Sequence, residues 1–148
     1  MTDTPPNATF AKFGWPRTRI ADLEHWGVML RPDQPTLGAL VLCCKQPVQA
    51  FGAVDAAGHA ELGRAVKAVE AMLAAAIGYE KINYLMLMMQ DPDVHFHVLP
   101  RYAGAKRFED LEIEDQGWPG PPALGAFLTP DASQADNLTA HLRSHWKF

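Results

Sequence analysis

Two histidines two residues apart, His95 and His97, lie in the run Asp93-Val94-His95-Phe96-His97-Val98-Leu99-Pro100-Arg101-Tyr102 and are the residues of this chain best suited to chemistry. On an extended strand successive side chains point to opposite faces. Asp93, His95 and His97 would then share one face, with Val94, Phe96 and Val98 on the other. An imidazole is neutral and nucleophilic near neutral pH, donates or accepts through its ring nitrogens, and ligates metals. A rigid pair on one strand offers two nitrogens to a single phosphate, acyl group or metal ion. The commoner role of such a pair is simply that of half-exposed polar residues.

The remaining candidates carry less. His141 and His145 are four apart on a predicted helix, a chelating spacing, but no third ligand accompanies them and a helix C-terminus favours cations anyway. His25 reads as a polar residue at a strand end and His59 as a surface residue. Cys43 and Cys44 are adjacent and would face opposite sides of a strand, which suits neither a disulfide framework nor a Cys-x-x-Cys site. They read as buried, reduced packing residues. No Gly-x-Gly-x-x-Gly, phosphate loop, Gly-x-Ser-x-Gly or His-Glu-x-x-His occurs, so those reaction classes lose their usual support.

The elements that must position the histidines follow from patterning. A chain of 148 residues, 48% hydrophobic and 20% charged, is enough for one domain with a real core. A net charge of −4 gives no basic surface for nucleic acid. No apolar run reaches the roughly 18 to 20 residues that span a bilayer. The polar stretch Met1 to Asn7 lacks a secretory pattern, so the expected location is the cytoplasm.

Residues 1–10 read as a loosely held lead-in. Arg19–Asp22 and His25–Leu30 are predicted strands, followed by a proline loop at Arg31–Pro35. Leu37–Cys44 is predicted to be a central strand buried on both faces. A helix should run from an Asp55 N-cap to Gly78, with Leu62, Val66, Val69, Leu73 and Ile77 inward and Glu61, Arg64, Lys67 and Glu70 solvated. Lys81–Met89 is predicted to be another central strand whose methionines fill the core. Gln90-Asp91-Pro92 would turn it back antiparallel into the histidine strand. Residues 105–130 read as an irregular surface arm, and a last helix should start at Asp131 or Ser133 and reach about His145, with Leu138, Leu142 and Trp146 as its stripe.

The run from Asp93 to Arg101 resembles the signature of the histidine-triad family, His-φ-His-φ-His-φ-φ commonly followed by Pro-Arg. Pro35–Leu42 is similar to that family's Pro-Gly-His strand, and the likeness covers roughly residues 18–104. The resemblance implies an α+β fold, a five-stranded antiparallel sheet with one main helix and a C-terminal helix. Residues 1–17 would be a lead-in, 18–104 the histidine-triad domain, and 105–148 an arm and helix packed on it. It also implies a homodimer that binds a nucleotide or another phosphate ligand, needs no cofactor, and cleaves or transfers nucleoside phosphate groups through a covalent nucleotidyl-imidazole.

By position His95 would be the nucleophile and His97 the phosphate partner, with Arg31, Asn83, Gln90 and Asp93 as substrate-binding positions. The chemistry is sound, because a phosphorus adduct of imidazole is labile and neighbouring donors stabilise the phosphoryl oxygens. The chain departs from the pattern in four places. Asp93 replaces the first signature histidine, Ala39 replaces the histidine of the earlier strand, and Arg31 stands where relatives hold ribose with an acceptor. The glycine-rich hairpin is cut to Gln90-Asp91-Pro92. A carboxylate beside the histidines would favour their protonated form and repel an anion. Two other readings follow: a catalytically impaired nucleotide- or anion-binding module, and a metal site made of Asp93, His95 and His97.

Overall fold

Leu40–Cys44 has no polar side chain to give to solvent and is buried at every position, which puts it inside a sheet. The computed structural model describes residues 3–148; Met1 and Thr2, at the start of the expected lead-in, lie outside them. Five strands, β1 (Arg19–Asp22), β2 (Trp26–Leu30), β3 (Leu40–Cys44), β4 (Lys81–Leu85) and β5 (His95–Arg101), pair in the order β1-β2-β3-β5-β4. Every pairing is antiparallel. Three helices complete the fold: α1 (Ala8–Lys12), α2 (Ala56–Ala76) and α3 (Ala132–Ser144). The architecture is the expected α+β one, with a five-stranded antiparallel sheet, a main helix and a C-terminal helix. Among the described residues no helix is long and apolar enough to cross a membrane.

One face of the sheet makes the main core. Val28, Leu30, Leu40, Leu42 and Val98 pack against Val69, Met72 and Leu73 of α2 and Leu138 and Leu142 of α3. Each fully buried aliphatic side chain of this kind contributes about 1.5–3 kcal/mol. The Trp26 indole N–H donates to the Gly58 carbonyl at 2.8 Å and ties β2 to α2. Asp131 caps α3 reciprocally with Gln134, so that helix starts where its sequence indicates.

The other face carries the histidines, and it is not left open. Phe10, Phe13 and Trp15, on and after α1, close over Met29, Val41 and Cys43. Gly27 makes this possible, since a Cβ there would lie 2.4 Å from the Phe10 ring. The predicted loose lead-in is therefore replaced, over its described part, by a helix capped by Asn7 and seated on the sheet. Cys43 and Cys44 are buried and unpaired, and they divide between the two faces as adjacent strand residues must.

Four further expectations are corrected. β3 begins at Leu40 rather than Leu37 because Gly38 has φ +92°, a left-handed turn that interrupts the extended run. β4 is an edge strand rather than a central one and stops at Leu85, with Met88 at φ 52° beyond it. The connection to β5 spans residues 86–94 instead of a tight turn. Residues 105–114 form a hairpin of β6 (Ala105–Phe108) and β7 (Leu111–Glu114), whose Leu111 and Ile113 enter the core while Glu112 and Glu114 stay outside.

A further correction is the rotation of α2. Its buried stripe runs through Gly58, Glu61, Ala65, Ala68, Val69, Met72 and Leu73, leaving Leu62, Val66 and Ile77 half-buried. Glu61, expected in solvent, is 2% exposed. Its carboxylate accepts the backbone N–H groups of Glu24 and His25 at 3.2 and 2.7 Å and so closes the β1–β2 turn. Glu70 is half-buried as well and accepts the Tyr84 hydroxyl at 2.6 Å.

Candidate functional site

β5 sits between β3 and β4, so both neighbours fix its register: His97 faces Val41 and Leu85, and His95 faces Cys43. Pleating then turns both rings to the face covered by α1, while Phe96 packs on Trp26 behind them, ring centroids 6.2 Å apart. His95 is 1% exposed and His97 8%. Their rings lie 5.2 Å apart at 80°, and Phe13 leans on both at 6.1 and 5.7 Å.

The two imidazoles are held in opposite senses. His95 Nδ1 lies 2.6 Å from the backbone carbonyl of Asp93. A carbonyl only accepts, so Nδ1 carries the proton and Nε2 keeps its lone pair. Arg31 donates from Nε to His97 Nδ1 at 3.2 Å. A guanidinium only donates, so here Nδ1 is the acceptor and Nε2 bears the hydrogen. Burial pushes the His97 pKa down to about 4, helped by Arg31, His95 and Lys12 and opposed by Asp91. His97 is therefore a neutral N–H donor at pH 7, beside a ring that offers a lone pair.

Both rings line a pocket of about 190 Å³ whose other walls are Leu87, Met88, Met89, Gln90 and Asp91 from the β4–β5 loop. Lys12 of α1 clamps Asp91, its ammonium 2.8 Å from each carboxylate oxygen. The methionine run is not all core filler: Met86 and Met88 pack inward, but Met89 is 89% and Leu87 50% exposed.

Of the predicted substrate-binding residues, Gln90 lines this pocket and Arg31 reaches it through His97. Asp93 precedes β5 and turns its carboxylate to α1, accepting the Thr9 hydroxyl at 2.8 Å. The carboxylate that bears on His97 is Asp91, not Asp93. Asn83 is two residues along β4 from Leu85 and accepts from Arg101 at 2.7 Å, in a separate hollow with Lys81 and Trp118. Arg101 itself pairs with buried Asp115 at 2.7 Å and donates to the Gly120 carbonyl at 2.8 Å, pinning the C-terminal arm to the sheet.

Asp93, His95 and His97 do not converge as metal ligands, because the first is bound to Thr9. Among the described residues the set whose ligand atoms do lie within 4.8 Å of one another is Glu24, His25 and Glu61, where both Glu61 oxygens already accept backbone N–H groups. His141 meets the Ala76 carbonyl at 2.8 Å, a structural contact in the helix layer.

Sequence reasoning missed Thr9, Lys12, Phe13 and Gln34. Asn7 ahead of Ala8-Thr9-Phe10 was the available signal for α1, an N-cap whose side chain accepts from the Thr9 and Phe10 N–H groups. Gln34 is fully buried: its amide donates to the Arg31 and Ala39 carbonyls at 2.6 and 2.9 Å and accepts from Gly38 N–H at 2.9 Å. It thereby holds the proline loop in the shape that sets Arg31 against His97.

No protein-family profile and no curated protein sequence matches the chain. Solved structures do. A histidine triad protein from Bradyrhizobium japonicum superposes with a TM-score of 0.73 at 22% identity, covering 95% of this chain and 96% of its own. A histidine triad (HIT) protein from Sinorhizobium meliloti 1021 gives 0.74 at 22% identity, covering 94% of each chain. A hypothetical histidine triad nucleotide-binding protein from Sulfolobus tokodaii gives 0.66 at 16% identity, covering 86% of this chain and 82% of that one. In fold, therefore, this chain is a histidine-triad-like protein.

Proposed function

We propose that the chain hydrolyses or transfers nucleoside phosphate groups, or closely related phosphate derivatives, through a covalent adduct on His95. The observation that carries this reading is the pair of opposite tautomers in one pocket, a lone pair on His95 Nε2 beside an N–H on His97 Nε2. In the first step the His95 lone pair forms an N–P bond while the bond from phosphorus to the leaving group breaks with its electron pair. That group takes a proton from solvent. The Asp93 carbonyl stabilises the positive charge that develops on the His95 ring, and His97 donates to a phosphoryl oxygen. Water then attacks phosphorus and releases a proton to solvent, the N–P bond breaks, and its electron pair returns to His95; an acceptor other than water gives transfer.

A second reading, a nucleotide- or anion-binding module without turnover, is favoured by Ala39 and Asp93, which leave two imidazoles where the signature has more. In either case the ligand is a small phosphate-bearing molecule, and the fold's resemblance makes a cytoplasmic homodimer the expected assembly. Incubation with an adenosine phosphoramidate followed by mass spectrometry separates the two. A nucleotidyl adduct that maps to His95 supports the enzyme, whereas saturable binding with neither adduct nor turnover supports the module.

A further inference from the structure

Arg31 carries only donors, and its place in the structure shows what they meet. Its Nη1 donates to the Asp33 carbonyl at 2.7 Å and its Nε to His97 Nδ1 at 3.2 Å, so the guanidinium is braced from the loop and aimed at the ring. The loop is rigid at this point, since buried Gln34 bonds the Arg31 carbonyl and the turn at Gly38. The N–H of Arg31 bonds the Ala39 carbonyl at 2.9 Å as well, fixing the residue's backbone next to β3. Among the described residues nothing else bonds His97 Nδ1, and Phe13, His95 and the pocket walls lie around the ring.

We propose that Arg31 is a positioning residue for His97: its Nε–H, donated to Nδ1, fixes the ring's rotation and leaves Nε2–H as the edge that meets the phosphoryl group. This rests on the phosphate-transfer reading for its use but not for its geometry. A free imidazole rotates about its side-chain torsions and exchanges tautomers; a donor held on one nitrogen removes both freedoms. The arginine also adds to what burial does to the ring's proton affinity. His97 is faced by the cations Arg31 and Lys12, by His95, and by the carboxylate of Asp91, with apolar Val41, Leu85 and Phe13 around it; burial holds it neutral and the cations add to that.

The test is nitrogen-15 NMR of the His97 side chain across pH in the full chain, assigned by loss of the signals in His97→Gln, together with kcat and KM on a phosphoramidate. In the wild type the ring is expected as the neutral Nε2–H form down to the neighbourhood of its folded pKa of about 4. Arg31→Gln keeps a donor without the charge and should keep that tautomer with a modest upward shift of the titration. Arg31→Ala should raise the His97 pKa by about one unit or more and lower kcat by about 10²-fold with little change in KM. Arg31→Glu offers an acceptor instead, so His97 should become protonated at Nδ1; should that variant not fold, the Gln and Ala pair decides the matter. An Nδ1–H wild-type ring, or a titration unmoved in Arg31→Ala, overturns the proposal. The expected NMR changes in a protein without turnover would refute the enzyme reading and leave the positioning role intact.

Discussion

The two faces of β5 put alternate residues of one strand to different tasks. On the inner face Phe96 and Val98 fill volume against β2, α2 and α3, through contacts that have no direction. On the outer face His95 and His97 are each set by a directional bond, His95 donating to the Asp93 carbonyl and His97 accepting from Arg31. The inner face is settled by packing and the outer face by hydrogen-bond sense. If His95 and His97 do the chemistry proposed above, stability and chemistry are carried by residues one position apart, and a substitution on either face should disturb one property with little effect on the other.

Breaking each face in turn gives the largest effects. His95→Ala should reduce phosphoramidate turnover by about 10⁴-fold, with its unfolding transition close to that of the wild type. Leu42→Ala, on the inner face of β3, should cost about 2–5 kcal/mol in urea unfolding while the folded fraction keeps its kcat. Global unfolding of His95→Ala, or a folded but inactive Leu42→Ala, would show that the faces are not separable.

A smaller effect sharpens the same contrast away from the site. Glu61→Ala leaves the Glu24 and His25 N–H groups without their acceptor and should cost about 1.5–3 kcal/mol in urea unfolding. Arg64→Ala, exposed on the same helix, should stay within about 0.5 kcal/mol. Equal effects would return Glu61 to the solvated face that its charge suggests.

The outer face should also respond to acid in a way the inner face cannot. Folded His97 titrates near 4, against 6.5 for an ordinary histidine. Between those values the unfolded chain binds more protons, so the contribution of neutral His97 is complete above about 6.5 and is lost as pH falls through about 4. Urea midpoints measured across that window should fall less steeply in His97→Gln than in the wild type; parallel curves would contradict the buried neutral ring. The smallest effect belongs to Asp93→Asn, whose amide oxygen can still accept from Thr9. Turnover should stay within about twofold, and a large gain would mean that the carboxylate restrains the histidines after all.

How much of this could be read in the sequence depended on the range of the forces involved. Strand alternation around His95 and His97, the Asp55 and Asp131 caps and the apolar run of β3 are local signals, and the structure has them. The bond from Arg31 to His97 joins residues 66 apart and exists because Gln34 shapes the loop between them; no spacing rule contains it. Glu61 looks solvated from its charge alone, yet a carboxylate with two backbone donors can be buried. The hairpin of residues 105–114 was hidden by its charges, whose alternation with Leu111 and Ile113 was the period-2 signal to read.

The central claim is that His95 reacts through Nε2 because its Nδ1 is already held by the Asp93 carbonyl. Phosphorus-31 NMR of the adduct trapped after a single turnover distinguishes the two ring nitrogens directly. The account predicts one phosphorus resonance, from an Nε2-linked adduct on His95 and absent in His95→Ala. An Nδ1-linked adduct, or one on His97, would contradict it.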